Sequence, residues 1–163
     1  MKRSFTILLL LLVAALTGVA QKGEDQERSI KKSAVPKAIL AAFEKSYPQA
    51  KVKGYSKEME NGVAEYELES QDGKISRDIS YAEDGSVLAV EESMAYADLP
   101  EAVRATITKD HPKHTVASCE KVTKGSTTEY EVLLKLGTKK TEVVFDVAGA
   151  VVKKGEKGEK GKK

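Results

Sequence analysis

Val63-Ala64-Glu65-Tyr66-Glu67-Leu68-Glu69-Ser70 sets Ala64, Tyr66 and Leu68 in strict alternation with Glu65, Glu67 and Glu69. A period of two belongs to a β-strand with one face in a core and the other in water. The motif returns 64 residues later as Glu129-Tyr130-Glu131, and the match extends without a gap in both directions. Pro36 returns as Pro100, Pro48 as Pro112, Val52 as Val116 and Lys57 as Lys121. Gly73, Gly85 and Val87 return as Gly137, Gly149 and Val151. Residues 34–89 against 98–153 give 13 identities in 56 pairs, about three times what average composition yields by chance. Each copy must therefore fold as the same supersecondary unit.

Upstream of the alternation, each copy opens with a helix. Val35, Ile39, Phe43 and Tyr47 recur every fourth residue, as do Leu99, Val103, Ile107 and His111. Such stripes pack against a core. Pro36 and Pro100 suit a first helical position, with Asp98 a ready N-cap for the second helix. Pro48 and Pro112 end both helices.

Four strands should follow each helix. In the first copy they are predicted over 52–59, 63–70, 74–81 and 87–90, with turns at Asn61-Gly62, Asp72-Gly73 and Asp84-Gly85. Asn-Gly and Asp-Gly are strong hairpin signals. The second copy repeats the order, with Thr128, Tyr130, Val132, Leu134 and Leu136 turned inward. The expected fold is α+β: two tandem repeats, each one helix packed on a four-stranded antiparallel sheet. Whether the sheets are continuous stays open. A single copy would be marginal alone, so the two should join or pack together.

Outside the repeats, Lys2 and Arg3 precede an apolar run from Ile7 to Leu16, and Gly18-Val19-Ala20 follows. That order is expected of a secretory signal peptide over 1–20. The run is shorter than the roughly 20 apolar residues of a spanning helix, so no transmembrane segment is expected in the mature chain. Residues 21–34 read as a charged flexible leader, 35–97 and 98–152 as the repeats, and 153–163 as a basic disordered tail. The tail carries six Lys against two Glu, leaving the body over 21–152 acidic. An acidic body argues against nucleic acid as a partner. Cys119 is the one cysteine; it is expected to be a small buried hydrophobe.

No catalytic constellation can be assembled, and no cofactor is implied. The chain has two His and no Trp. His111 and His114 beside Asp110 offer a weak metal alternative, short of the three or four protein ligands usual for such sites. The carboxylates Glu65, Glu67, Glu69, Asp78, Glu129 and Glu131 alternate onto a face expected to be open and solvated. An acid/base pair would need burial, whereas a polar sheet face or a partner surface would not.

The helix starts Val35-Pro36-Lys37-Ala38 and Leu99-Pro100-Glu101-Ala102 carry a family likeness. So do the helix ends Tyr47-Pro48 and His111-Pro112, the Glu-Tyr-Glu strands, and the aromatic-x-x-x-Gly turns ending at Gly85 and Gly149. Together these resemble the beta-lactamase-inhibitor-like, PepSY-like domain of exported bacterial proteins, over roughly residues 35–152. The resemblance implies a periplasmic or secreted protein, and an inhibitor-like grip through the open sheet face. Tyr55 and Cys119 stand where such repeats often carry Trp, and the disulfides of the beta-lactamase inhibitors are missing. Inhibition of beta-lactamase itself is therefore not carried over.

The functional expectation is an exported, non-enzymatic binding module for a protein or peptide of the cell envelope. Its site would be Tyr55, Lys57, Glu65, Glu67, Asp78, Lys121, Glu129 and Glu131. The alternative is an envelope protein binding a small ligand or a divalent cation on the same face or at the His pair.

Overall fold

The computed structural model describes residues 27–60 and 62–156. The expected signal peptide, most of the leader, Asn61 and the tail from residue 157 lie outside the described residues. In chain order the elements are β1 (Arg28–Ser29), α1 (Lys37–Ser46), β2 (Lys51–Glu60), β3 (Val63–Asp72), β4 (Ile75–Ala82) and β5 (Val87–Met94). Then come α2 (Glu101–Asp110), β6 (Thr115–Lys124), β7 (Thr127–Leu136), β8 (Lys139–Asp146) and β9 (Val151–Glu156). A 3₁₀ turn precedes each helix, at Lys32–Ala34 and Tyr96–Asp98.

The strands form one nine-stranded sheet in the order β1 to β9, every neighbouring pair antiparallel. The expectation of two four-stranded sheets is met only in part, because β5 pairs with β6 and joins the copies. β5 also outruns its expected end at Val90: Glu91 to Met94, too polar to read as strand, supply much of that junction.

The stretch expected to be a flexible leader contains β1 and a 3₁₀ turn. Arg28 and Ser29 pair with Lys57 and Ser56, as Glu92 and Ser93 pair with Lys121 and Glu120. The 64-residue offset thus holds for the strand before each helix, and β1 is the short counterpart of β5. At the other end β9 runs into the expected basic tail as far as Glu156.

Two cores lie on the helix side of the sheet. Val35, Ile39 and Phe43 pack with Tyr66, Leu68, Ile79 and Tyr81. Leu99, Val103 and Ile107 pack with Cys119, Val132, Leu134, Val143 and Phe145. The helical stripes and the inward strand residues meet as their periods require. Pro36 and Pro100 sit one position earlier than expected, as N-caps with extended ψ of 138° and 144°. Asp98 belongs to the preceding 3₁₀ turn rather than capping α2. Cys119 is buried, and that burial pushes its thiol up to about 11, so it acts as a core residue.

The aromatic-x-x-x-Gly turns hold the helices against the sheet. Gly85 and Gly149 have φ of +89° and +81°, and a Cβ on either would lie 2.9 or 2.6 Å from the backbone of Ala38 or Ala102. Only glycine combines that conformation with that approach. In the second copy Thr106 Oγ1 also donates to the Gly149 carbonyl at 2.9 Å.

Candidate functional site

The helix-free face is built by register. Across the strands, Ser56, Glu67, Ser80 and Ala89 make one row, and Glu69, Asp78, Glu91, Val122 and Glu129 a second. Ser93, Glu120, Glu131, Val144 and Lys153 make a third. Glu65, facing Glu58 on β2, extends the same side. Five of the expected site residues are therefore brought together: Glu65, Glu67, Asp78, Glu129 and Glu131.

The other three are not. Tyr55 stands opposite Leu68, Lys57 opposite Tyr66, and Lys121 opposite Tyr130, all on the helix side. A β-bulge between Val52 and Gly54, repeated between Val116 and Ser118, is the cause. One extra residue inverts the facing of everything after it. Lys57 Nζ lies 5.0 Å from the centre of the Tyr66 ring, a cation–π contact. Tyr55 lines a hollow of about 420 Å³ with Leu40, Phe43 and Tyr47 of the first copy.

Lys121 joins a charged seam between the two cores. Arg77 Nε donates to Glu92 Oε1 at 2.5 Å, Lys121 Nζ lies 3.8 Å from Glu92 Oε2, and Asp72 Oδ2 lies 3.7 Å from Arg77 Nη1. The Arg77 guanidinium also sits 5.0 Å over the Tyr47 ring.

The centre of the helix-free face is not the open surface expected. Ser56, Ser80, Ala89, Glu91, Val122 and Val144 are all buried there, although neither helix contributes to that side. Carboxylates held there ionise reluctantly. Glu67 is pushed up to about 9, by burial first and then by Asp78, Glu27, Glu91 and Glu69. Glu91 is pushed up to about 8 by burial, Glu131, Glu120 and Asp78, against a weaker pull from Lys124. Asp78 rises to about 6 through burial and its neighbours Glu69 and Glu27.

Glu91 and Glu120 escaped the sequence reading. Glu91 lies beyond the expected end of its strand, and Glu120 follows the bulge that reverses its facing. Extending the 64-residue offset upstream would have drawn attention to Glu91, because it falls on Glu27. Carboxylate oxygens of Glu91, Glu120 and Glu131 lie within 4.8 Å of one another. The His pair gathers no such set. His111 is buried and meets His114 edge to face at 5.0 Å, and no third ligating side chain joins the two rings among the described residues. Burial and the nearby Lys154 hold His111 below its ordinary pKa.

An antiparallel sheet made of two homologous units, helices on one side and carboxylates on the other, defines a protein of the beta-lactamase-inhibitor-like fold. The chain belongs to the family described as "Putative beta-lactamase-inhibitor-like, PepSY-like", which matches it twice, over residues 21–89 and 64–153. No curated protein matches the chain. Among solved structures, one described as a "putative periplasmic" protein of Bacteroides eggerthii aligns with TM-score 0.67 at 14% identity, covering 75% of this chain and 88% of that one. A BLIP-like protein of Bacteroides fragilis aligns with TM-score 0.61 at 22% identity, over 78% and 92% of the two chains. A DUF2874 family protein of Bacteroides uniformis gives 0.64 at 15% identity, over 74% and 88%. At these identities the likeness shows the fold alone. No helix among the described residues is long and apolar enough to cross a membrane.

Proposed function

We propose that this chain is an exported, non-enzymatic binding module whose helix-free face holds a protein or peptide presenting Lys and Arg side chains. The observation that carries the reading is the convergence of carboxylates on one sheet face that neither helix covers. Burial first, and then the crowding of neighbouring carboxylates, pushes Glu67 up to about 9 and Glu91 up to about 8, and positive charge placed against this face would relieve that crowding. A basic partner would supply that charge, and complementary potentials favour both encounter and register. The family's beta-lactamase-inhibitor-like character supports a protein as the occupant, with inhibition as one form the binding takes. The basic, apolar start of the sequence supports export.

The docking face consists of Glu65, Glu67, Asp78, Glu129 and Glu131. Tyr55, Lys57 and Lys121 act on the other side, in packing and in the charged seam. Affinity capture from native cell envelopes tests the assignment. The variant Glu65→Lys, Glu67→Lys, Glu129→Lys, Glu131→Lys should lose a partner that wild type retains. Glu101→Lys, on the exposed surface of α2, should retain it. Equal capture by all three proteins would reject this face.

A further inference from the structure

β5 closes the first copy by pairing with β4, and from Val90 to Met94 it also receives β6 of the second. Within that junction Glu92 stands opposite Lys121, whose Nζ lies 3.8 Å from Glu92 Oε2. β9 is the same strand in the second copy, since Val87 to Glu92 fall on Val151 to Glu156 at the 64-residue offset. It pairs with β8 as β5 does with β4, with a register shift at the equivalent place. The far side of β9 carries no strand among the described residues. The unpaired amide and carbonyl groups of such an edge are a template for another strand.

The counterpart of β6 is β2, and its outer edge is covered only by β1. That cover is a poor match. β1 has two residues, both exposed, and they pair with Lys57 and Ser56 out of the ten residues of β2. The Ile30 amide adds one bond to the Tyr55 carbonyl. β1 also sets Arg28 opposite Lys57, where the internal junction sets Glu92 opposite Lys121. Like charges directly across a sheet weaken the pairing, and opposite charges strengthen it.

Carrying the register of the internal junction over to two molecules sets Lys154 opposite Met59, Gly155 opposite Glu58 and Glu156 opposite Lys57. An acid then takes the position that β1 fills with Arg28.

We propose that β9 of one molecule pairs with β2 of a second, displacing Arg28 and Ser29, and so continues the sheet from one molecule to the next. The occupant is a second copy of this chain because its own β5–β6 junction supplies the register and the charge pairing. Each molecule offers one β9 and one β2, so the contact is head to tail and can repeat. It uses the two edges of the sheet and leaves the carboxylate face free, so it is independent of partner binding there.

The test uses the chain purified from cell envelopes, sedimented at concentrations from micromolar to millimolar. Its mean mass should rise with concentration. Glu156→Lys removes the acid supplied to Lys57, and Arg28→Glu gives β1 an acid of its own. Each should weaken association at least tenfold, while Glu101→Lys on α2 leaves it unchanged. Arg28 is exposed and Glu156 ends the last strand, and melting of each variant reports its folding. Residues paired across antiparallel strands have Cα atoms about 4.5–5.5 Å apart, within the reach of a disulfide. A Glu156→Cys chain oxidised with a Lys57→Cys chain should therefore give a covalent dimer, and with a Glu101→Cys chain none. β2 and β9 stand second and ninth in the sheet order, so the 156–57 link forms only between molecules, and Cys119 is buried away from it. Three results would overturn the proposal: a monomer at millimolar concentration, association that survives Glu156→Lys or Arg28→Glu, or equal crosslinking of position 156 to positions 57 and 101.

Discussion

Tyr81 and Phe145 are the same position in the two copies, each fully buried, and they differ by one hydroxyl. That hydroxyl has no hydrogen-bond partner among the described residues, and burial together with Tyr47 pushes its pKa up to about 12. An orphaned buried hydroxyl costs on the order of 1 kcal/mol or more. Tyr81→Phe should therefore raise stability by about 1 kcal/mol in urea denaturation, and a loss would show that the hydroxyl has a partner. Gly149 makes the opposite case. Gly149→Ala forces a Cβ to 2.6 Å from the Ala102 backbone at a φ of +81°, and should cost more than about 2 kcal/mol. Gly137→Ala has a similar φ of +62° but open space, and should cost about 1 kcal/mol. Equal losses in the same denaturation series would mean that close approach to the helix contributes nothing.

Between elements, the junction of the copies is a strand pairing reinforced by charge. The Arg77 side chain is 11% exposed and leans on Glu92, whereas Lys121 is 43% exposed. Glu92→Gln takes the nearer of two carboxylates from a nearly buried guanidinium, leaving Asp72 at 3.7 Å, and should cost roughly 1–3 kcal/mol. Lys121→Gln should cost less than about 1 kcal/mol. The reverse order in equilibrium unfolding would mean that the seam is not held through Arg77. Much of this arrangement is legible in the residues. Glu65 to Glu69 and Glu129 to Glu131 state their facing outright, and the helical stripes state theirs. The bulges are harder to see. Gly54 hints at one, but Ser118 holds the same place in the second copy, and only backbone register reveals that Lys57 and Lys121 turn inward. β1 is two residues long, too short for any periodicity. No local pattern in the sequence encodes the burial at the centre of the helix-free face.

Over the whole molecule, crowded carboxylates make stability depend on pH. Glu67 titrates near 9 in the fold against its ordinary 4.5, and Glu91 near 8. Between those limits the folded chain binds more protons than the unfolded one. The contribution from these groups is full below about pH 4.5 and is lost as pH rises through 8 to 9. Tm should fall between pH 5.5 and pH 8.5. Glu67→Gln should flatten that slope and raise Tm by about 3–6 °C at pH 8; a Tm that rises with pH would contradict the charge assignment. The same crowding underlies the claim that this face receives a basic partner. The most direct test places a photocrosslinking amino acid at Glu129 on the carboxylate face, or at Glu101 on α2, in cells making the full chain. The account predicts a discrete adduct from position 129 and none from position 101, with the adduct lost when Glu65, Glu67 and Glu131 are changed to Lys. An adduct from position 101 alone would move the binding surface to the helices and contradict the account.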